Sequence, residues 1–184
     1  MLAVARVACA EADSLASVSC DGFALGYSGP SDKKSCSTGE ISGKAGLATT
    51  ATVSQIEISS RDFYLVVTYR EAKFRAYFPD RSPQEEVNSN PGLTAISNWQ
   101  PKASIRGFEV ALFDAVATHN NAIVSCAIFM GHGRSLGGPY EYPGGPGYKT
   151  LLTGYYCPAS IMVQADAFVN SLENVIVKLQ LPSQ

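Results

Sequence analysis

The sequence predicts an α+β domain built around a mainly antiparallel sheet, with two helices at about residues 107–118 and 166–179 and with stabilising disulfides. Three observations support this prediction. Several segments alternate apolar and polar residues with a period of two, two segments carry apolar residues at helical spacing, and five cysteines occur without a C-x-x-C pair. The order is strands, helix, strand, glycine-rich loop, strand, helix, which favours helices packed on an antiparallel sheet.

Length and composition favour a single domain over residues 11–184. The chain has 184 residues, of which 46% are hydrophobic and only 16% are charged, so it can bury a core of its own. The formal net charge of −2 disfavours a nucleic-acid partner. No apolar run approaches the roughly 20 residues of a transmembrane segment. We expect no metal ion, because the cysteines and histidines lack the spacing of a zinc site, and we expect no cofactor.

The first ten residues end in a pattern typical of a signal-peptidase site. Ala8-Cys9-Ala10 has the small-x-small form, and the chain becomes polar at Glu11. A basic n-region is missing and Arg6 interrupts the apolar stretch, so we interpret residues 1–10 as the remnant of a truncated signal peptide. The expected location is therefore secreted or periplasmic. The alternative is a cytoplasmic protein with a frayed N-terminus.

The cysteines support export and predict two cross-links. Without Cys9, four cysteines remain, and these allow three pairings. We predict Cys20–Cys36, whose closed loop of about 15 residues is worth roughly 3 kcal/mol. We also predict Cys126–Cys157, because the two residues belong to apolar strand patterns joined by a loop long enough for the chain to return alongside itself. Opposed residues of antiparallel strands, with Cα atoms about 4.5–5.5 Å apart, have the separation that a disulfide needs.

The first half of the chain predicts strands joined by loops. Residues 11–50 are mostly loop, because they are rich in serine, glycine, alanine and threonine. The strand patterns lie at residues 22–25, 52–58, 62–69 and 72–78. Arg70-Glu71 separates the last two of them and is expected to form a hairpin turn. Residues 79–101 contain four prolines and are predicted to be a long surface connection.

The second half predicts both helices and two further strands. Phe108, Leu112, Ala115 and Val116 fall at helical spacing and predict the first helix. Asp166 is the expected N-cap of the second helix. Apolar runs predict strands at residues 122–130 and 149–157 on either side of a glycine- and proline-rich segment, residues 131–147.

This segment is the candidate binding surface, for a protein or a glycan. Arg134, Tyr140, Tyr142 and Tyr148 are the candidate contact residues, because tyrosines on a glycine-rich loop offer rigid contact area with hydrogen-bonding tips. We expect Tyr140 and Tyr142 to point outward. The competing interpretation is a solvated turn whose tyrosines pack on the sheet edge.

A second hypothesis is catalytic. The apolar run from Ile123 to Met130, followed by Gly131-His132-Gly133, resembles the His-bearing strand of caspase-like cysteine peptidases. That resemblance implies a small hydrolase in which His132 activates Cys157 as the nucleophile. A Cys126–Cys157 disulfide would exclude it. The sequence therefore favours an exported binding or accessory domain over an enzyme.

Overall fold

The computed structural model describes residues 15–42, 50–73, 78–79, 81–118, 120–133, 147–159 and 165–182. These residues form a mostly antiparallel, sheet-rich fold with two helices, α1 (Pro83–Asn88) and α2 (Ala165–Ile176). The strands in chain order are β1 (Ala16–Val18), β2 (Gly26–Tyr27), β3 (Lys33–Ser42), β4 (Thr50–Ser59), β5 (Phe63–Ala72), β6 (Phe78–Pro79), β7 (Leu93–Ile105), β8 (Phe108–Ala117), β9 (Ala122–His132), β10 (Gly147–Tyr148), β11 (Thr150–Pro158) and β12 (Leu179–Gln180).

One eight-stranded sheet dominates, in the order β1-β3-β4-β5-β11-β9-β8-β7. Every neighbouring pair in it is antiparallel. Strand β11 lies at the centre, between β5 and β9, although it comes late in the sequence. Two short ladders, β6–β10 and β2–β12, lie outside the main sheet.

The centre of the sheet is buried on both faces, and a different helix packs on each. We call them the α2 face and the α1 face. On the α2 face, the core contains Ile56, Leu65, Val67, Leu112, Phe129 and Leu152 of the sheet and Phe168, Leu172, Val175 and Ile176 of α2. On the α1 face, it contains Val66, Ala111, Phe113, Cys126, Ile128, Met130 and Tyr155 of the sheet and Val87 of α1. The two sets alternate along each strand, as the period of two requires.

The helix predicted at residues 107–118 is wrong, because this segment is strand β8. Val110 points to the α2 face while Ala111 and Phe113 point to the α1 face, and all three are buried. A strand covered on both sides is apolar at nearly every position and loses its period-two signature. In β8 the apolar residues also happen to match helical spacing, so the pattern did not distinguish the two structures.

Two further expectations are corrected. The hairpin turn at Arg70-Glu71 is absent, because β5 continues to Ala72 and both residues are paired with β4 and β11. The surface connection predicted at residues 79–101 instead includes α1 and much of β7. Its prolines are compatible with that structure, since Pro83 begins α1, where proline is favoured, and Pro101 lies in the edge strand β7.

Several predicted elements are confirmed. Strands at residues 52–58, 122–130 and 149–157 correspond to β4, β9 and β11, and the second helix is α2. Asp166 lies in the first turn of α2, which begins one residue earlier than expected. The strand predicted at residues 22–25 is not observed, and the expectation that residues 11–50 are mostly loop is wrong, because residues 15–42 contain β1, β2 and the ten residues of β3. The proposed signal-peptide remnant lies outside the described residues.

Both predicted disulfides are present. Cys20 and Cys36 have Cα atoms 5.3 Å apart, and Cys126 and Cys157 have Cα atoms 4.3 Å apart. The second bond joins β9 to β11 directly across the ladder, one position beyond the pair of Ala127 and Tyr156. Disulfides are typical of oxidising compartments. Among the described residues, no helix is long and apolar enough to cross a membrane.

Candidate functional site

The two ends of the glycine-rich segment meet at one end of the central strands. The Gly133 amide donates a hydrogen bond of 3.0 Å to the carbonyl of Thr150, and the Ala72 amide donates one of 2.9 Å to the carbonyl of Lys149. Tyr148 in β10 pairs with Phe78 in β6. Main-chain hydrogen bonds therefore hold both ends of residues 131–147 against the sheet. We call this place, at the end of β9 and next to β11 and β5, the loop root.

A stacked pair of rings occupies this root. The centroids of His132 and Tyr148 are 4.3 Å apart, with an interplanar angle of 32°. Both residues are half-buried. The Nε2 atom of His132 is buried and makes no hydrogen bond with the described residues. Stacking and the paired backbone of β9 therefore orient the imidazole, and one of its nitrogens has no hydrogen-bond partner within the described part of the chain.

A buried polar network lies next to this root on the α1 face. Arg70 and His132 flank Leu151 from the two neighbouring strands. The Arg70 guanidinium donates to Thr153 Oγ1 at 3.1 Å and pairs with Glu86 Oε1 at 3.2 Å. Because Glu86 belongs to α1, this ion pair ties that helix to the centre of the sheet.

A second set of hydrogen-bonded side chains lies on the same face, on β4 and β5. Thr68 donates to Gln55 at 3.3 Å, and Gln55 donates to Glu57 at 3.0 Å. The Tyr64 hydroxyl also donates to Glu57, at 3.2 Å. Gln55 and Thr68 are only 2% and 1% exposed, so these hydrogen bonds replace those lost to water on folding.

Sequence reasoning missed this network. An arginine inside a β-branched and aromatic run was interpreted as a turn, whereas the structure buries it with a carboxylate partner. One available signal was the pattern Ser82-Pro83-Gln84-Glu85, which is typical of a capping box at a helix start. Recognising α1 from that pattern would have placed Glu86 on a helix.

Tyr69 lies at the same end of the sheet but on the α2 face. Tyr69 pairs with Leu152 and lies in the strand β5 that carries Glu71. Burial raises the pKa of Tyr69, and the negative charge of Glu71 raises it further, while a hydrogen bond with Thr150 lowers it. The Tyr69 phenol therefore stays neutral at physiological pH.

The structure brings two of the candidate site residues together. His132 and Tyr148 form the ring stack. His132 was a candidate catalytic residue, and Tyr148 was a candidate binding residue. Arg134, Tyr140 and Tyr142 lie outside the described residues, and so does the expected outward orientation of the two tyrosines.

His132 and Cys157 do not form a catalytic pair. His132 lies opposite Leu151, and Cys157 is about 20 Å farther along β11 at the rise of an extended strand. The Cys157 sulfur is bonded to Cys126 and the residue is 3% exposed. A cysteine in a disulfide has no thiolate with which to attack a substrate.

In the described part of the chain, no group of three or more histidine, cysteine, aspartate or glutamate side chains is placed to hold a metal ion. Comparison with protein-family models, curated proteins and solved structures found no significant match. Function is therefore inferred from the residues and the geometry of this chain alone.

Proposed function

We propose that this chain is an exported binding or accessory protein. Its contact surface is the edge of the sheet where β9 ends and β11 begins, at the two ends of residues 131–147. The observation that carries the proposal is the His132–Tyr148 stack, which holds two half-buried aromatic residues at a hydrogen-bonded loop root. Aromatic rings held in this way offer contact area at low conformational cost. The two disulfides support export, because such bonds persist in oxidising compartments.

A protein or a glycan is the ligand class that these side chains favour. Tyrosine rings stack on apolar groups or sugar faces, while their hydroxyls form hydrogen bonds. Arg134, two residues after His132, adds a planar donor group to the same segment. The net charge of −2 supports neither a polyanionic nor a polycationic partner.

The disulfide at Cys157 favours this proposal over the cysteine hydrolase. A hydrolase of the kind implied by the resemblance would need a reduced Cys157 near His132. The bonded sulfur and the long separation along β11 both count against that arrangement. No observation favours the hydrolase independently.

Export is tested by N-terminal sequencing of the protein isolated from its native host. We expect the mature chain to begin near Glu11, in a periplasmic or extracellular fraction. An intact Met1 on soluble cytoplasmic protein would contradict export.

Binding is tested with the full chain on two probe sets, an oligosaccharide array and a phage-displayed peptide library. Saturable binding to one set is expected, and Tyr148→Ala should weaken it about tenfold, the equivalent of roughly 1.4 kcal/mol. Trp99→Ala is the matched control, because Trp99 is a half-buried aromatic residue on β7 that stacks on Phe113 with a centroid distance of 6.0 Å. The control should leave binding unchanged.

The same samples test the alternative function, the cysteine hydrolase. Hydrolysis of a fluorogenic peptide library, measured with and without a reductant, should remain at background. Turnover that disappears in Cys157→Ala would support the hydrolase instead. No saturable binding to either set, or equal binding by Tyr148→Ala and wild type, would contradict the proposed surface.

A further inference from the structure

The segment between β1 and β3, residues 19–32, forms a strap over the α2 face. Leu25 is 1% exposed and Tyr27 is 4% exposed, and both belong to the core that includes α2. The ring of Tyr27 meets the edge of Phe63, with centroids 6.3 Å apart. Phe23 is half-buried against the same core. The strap thus covers apolar surface that α2 leaves uncovered.

Few hydrogen bonds to other segments fasten the strap, and one of them runs from the Asp32 amide to the carbonyl of Ser59 at 2.9 Å. Its regular structure consists of the two residues of β2, which pair with β12. The amide and hydroxyl of Ser28 donate to the carbonyl of Lys178 at 3.0 and 3.2 Å. The Lys34 ammonium donates to the carbonyl of Tyr27 at 3.3 Å. Segments with so few hydrogen bonds open at a lower free energy than central strands do.

The covalent fastening is the Cys20–Cys36 disulfide, and it differs in access from the second disulfide. Cys20 lies in the strap and is half-buried, whereas Cys36 in β3 is 2% exposed. Cys126 and Cys157 are 1% and 3% exposed and join two paired strands in the middle of the sheet. A reductant can reach Cys20 after local opening of the strap. It can reach the second bond only after β9 and β11 separate.

We propose that Cys20–Cys36 is a redox-sensitive fastening whose reduction releases the strap while the rest of the sheet stays folded. A thiolate of a dithiol reductant attacks the Cys20 sulfur, the disulfide bond breaks, and Cys36 leaves as a thiolate that takes up a proton. The second thiol of the reductant then displaces Cys20 from the mixed disulfide. The protein gains two thiols and the dithiol becomes a cyclic disulfide, so that electrons and protons balance.

Release of the strap changes the surface of the protein. Leu25 and Tyr27 leave the core, and Phe63 loses the ring packed against it. An apolar surface on the α2 face is then exposed under reducing conditions and covered under oxidising ones. This redox-dependent release of the strap changes only the α2 face, and it does not depend on the loop root at His132.

The test uses the full oxidised chain in native buffer with dithiothreitol and no denaturant. Samples are alkylated at intervals, and each cysteine, including Cys9, is followed on its own peptide by mass spectrometry. We expect Cys20 and Cys36 to be labelled at least about tenfold faster than Cys126 and Cys157, because local opening precedes global unfolding. Hydrogen exchange should accelerate in residues 19–32 and in β12, and stay slow in β9 and β11.

A second variant separates release of the strap from any effect of the reductant. The double substitution Cys20→Ser/Cys36→Ser should exchange quickly in the strap without dithiothreitol, and dithiothreitol should add no further exchange there. Equal labelling rates for all four bonded cysteines would overturn the proposal. So would a strap that keeps its exchange protection after Cys20 and Cys36 are reduced in the wild type, an outcome that can be scored even if the variant does not fold.

Discussion

The two faces of the sheet are stabilised in different ways. The α2 face is covered by a helix of 12 residues and by aromatic contacts that link Tyr27, Phe63, Tyr156 and Phe168. The helix on the α1 face has only six residues, and that face contains the buried Arg70–Glu86 ion pair. Burial of apolar area is non-directional. A buried ion pair requires defined geometry, so one substitution on the α1 face can remove a contact that no neighbour replaces.

The largest effect should come from breaking the ion pair on the α1 face. Arg70→Met leaves the Glu86 carboxylate buried, with only the half-exposed Arg81 guanidinium, 4.0 Å away, to balance its charge among the described residues. Removing one partner of a buried pair usually costs about 3–5 kcal/mol of unfolding free energy. Urea denaturation monitored by circular dichroism measures this loss of unfolding free energy.

The double variant Arg70→Met/Glu86→Leu is the control, because it removes both charges. It should recover most of the loss, since apolar replacement of both partners is often neutral. A double variant no more stable than Arg70→Met alone would mean that the loss does not come from the unpaired carboxylate.

A smaller effect is expected from the α2 face. Leu172 is fully buried in α2, and Leu172→Ala should lower the unfolding free energy by about 3 kcal/mol through lost burial and a cavity. Val177→Ala is the control, because Val177 is 52% exposed just after the same helix and should change stability by less than about 0.5 kcal/mol. Equal losses in both variants would contradict the packing of α2 on the sheet.

Within the α2 face, Gly154 tests how closely an aromatic ring lies on the central strand. A Cβ added at Gly154 would lie 2.0 Å from the ring of Phe129, its cross-strand partner. Gly154→Ala should therefore cost about 2 kcal/mol of unfolding free energy through overpacking. Phe129→Leu removes the ring, so the alanine should cost measurably less in a Phe129→Leu background. A full additive cost in the double variant would show that the ring is not the obstacle.

The smallest effect concerns α1 and appears as a pH dependence. Hydrogen bonds from the backbone and then the side chain of Ser82 lower the pKa of Glu85 below its ordinary value of 4.5. The ionised Glu85 therefore contributes stability above pH 4.5, and this contribution is lost as pH falls through the lowered pKa. Glu85→Gln should lose less stability than wild type in acid titrations below pH 4.5. Gln84→Ala, an exposed and uncharged change next to Glu85 in the same helix, should follow the wild-type curve.

The elements that sequence reasoning predicted correctly are those with a local signature. Helix α2 has one apolar side and one polar side, because its other side faces solvent. The central strands β9 and β11 were recognised from their apolar runs. The pairing of Cys126 with Cys157 followed from expecting those two runs to lie antiparallel, and their ladder confirms it.

The elements that were mistaken lack such a signature. The apolar residues of β8 face two separate cores, so their spacing along the chain carried no information about the element type. Arg70 was placed in a turn because Arg70-Glu71 lies between two strand patterns, and a lone arginine in a strand is rarely buried. Its burial depends on Glu86, a residue on another element that the topology brings into contact with it.

The same distinction applies to the candidate site. The glycine- and tyrosine-rich composition of residues 131–147 indicated a surface segment but not which side chains meet at its root. The stack of His132 on Tyr148 requires β9 and β10 to be placed by the ladders β9–β11 and β6–β10. The contact between His132 and Tyr148 therefore depends on the tertiary structure, and the sequence did not predict it.

The sequence by itself determined a mainly antiparallel sheet with two disulfides, because alternation along a strand and cysteine spacing are properties of short stretches of chain. The predicted α+β class holds only loosely, since the structure is sheet-rich. Only the tertiary structure decided that β8 is a strand, that Arg70 is buried with Glu86 and that the strap closes the α2 face. Each of these depends on contacts between residues distant in sequence. Such contacts form only when the whole sheet brings their strands together and the burial gained on folding outweighs the entropy of ordering them.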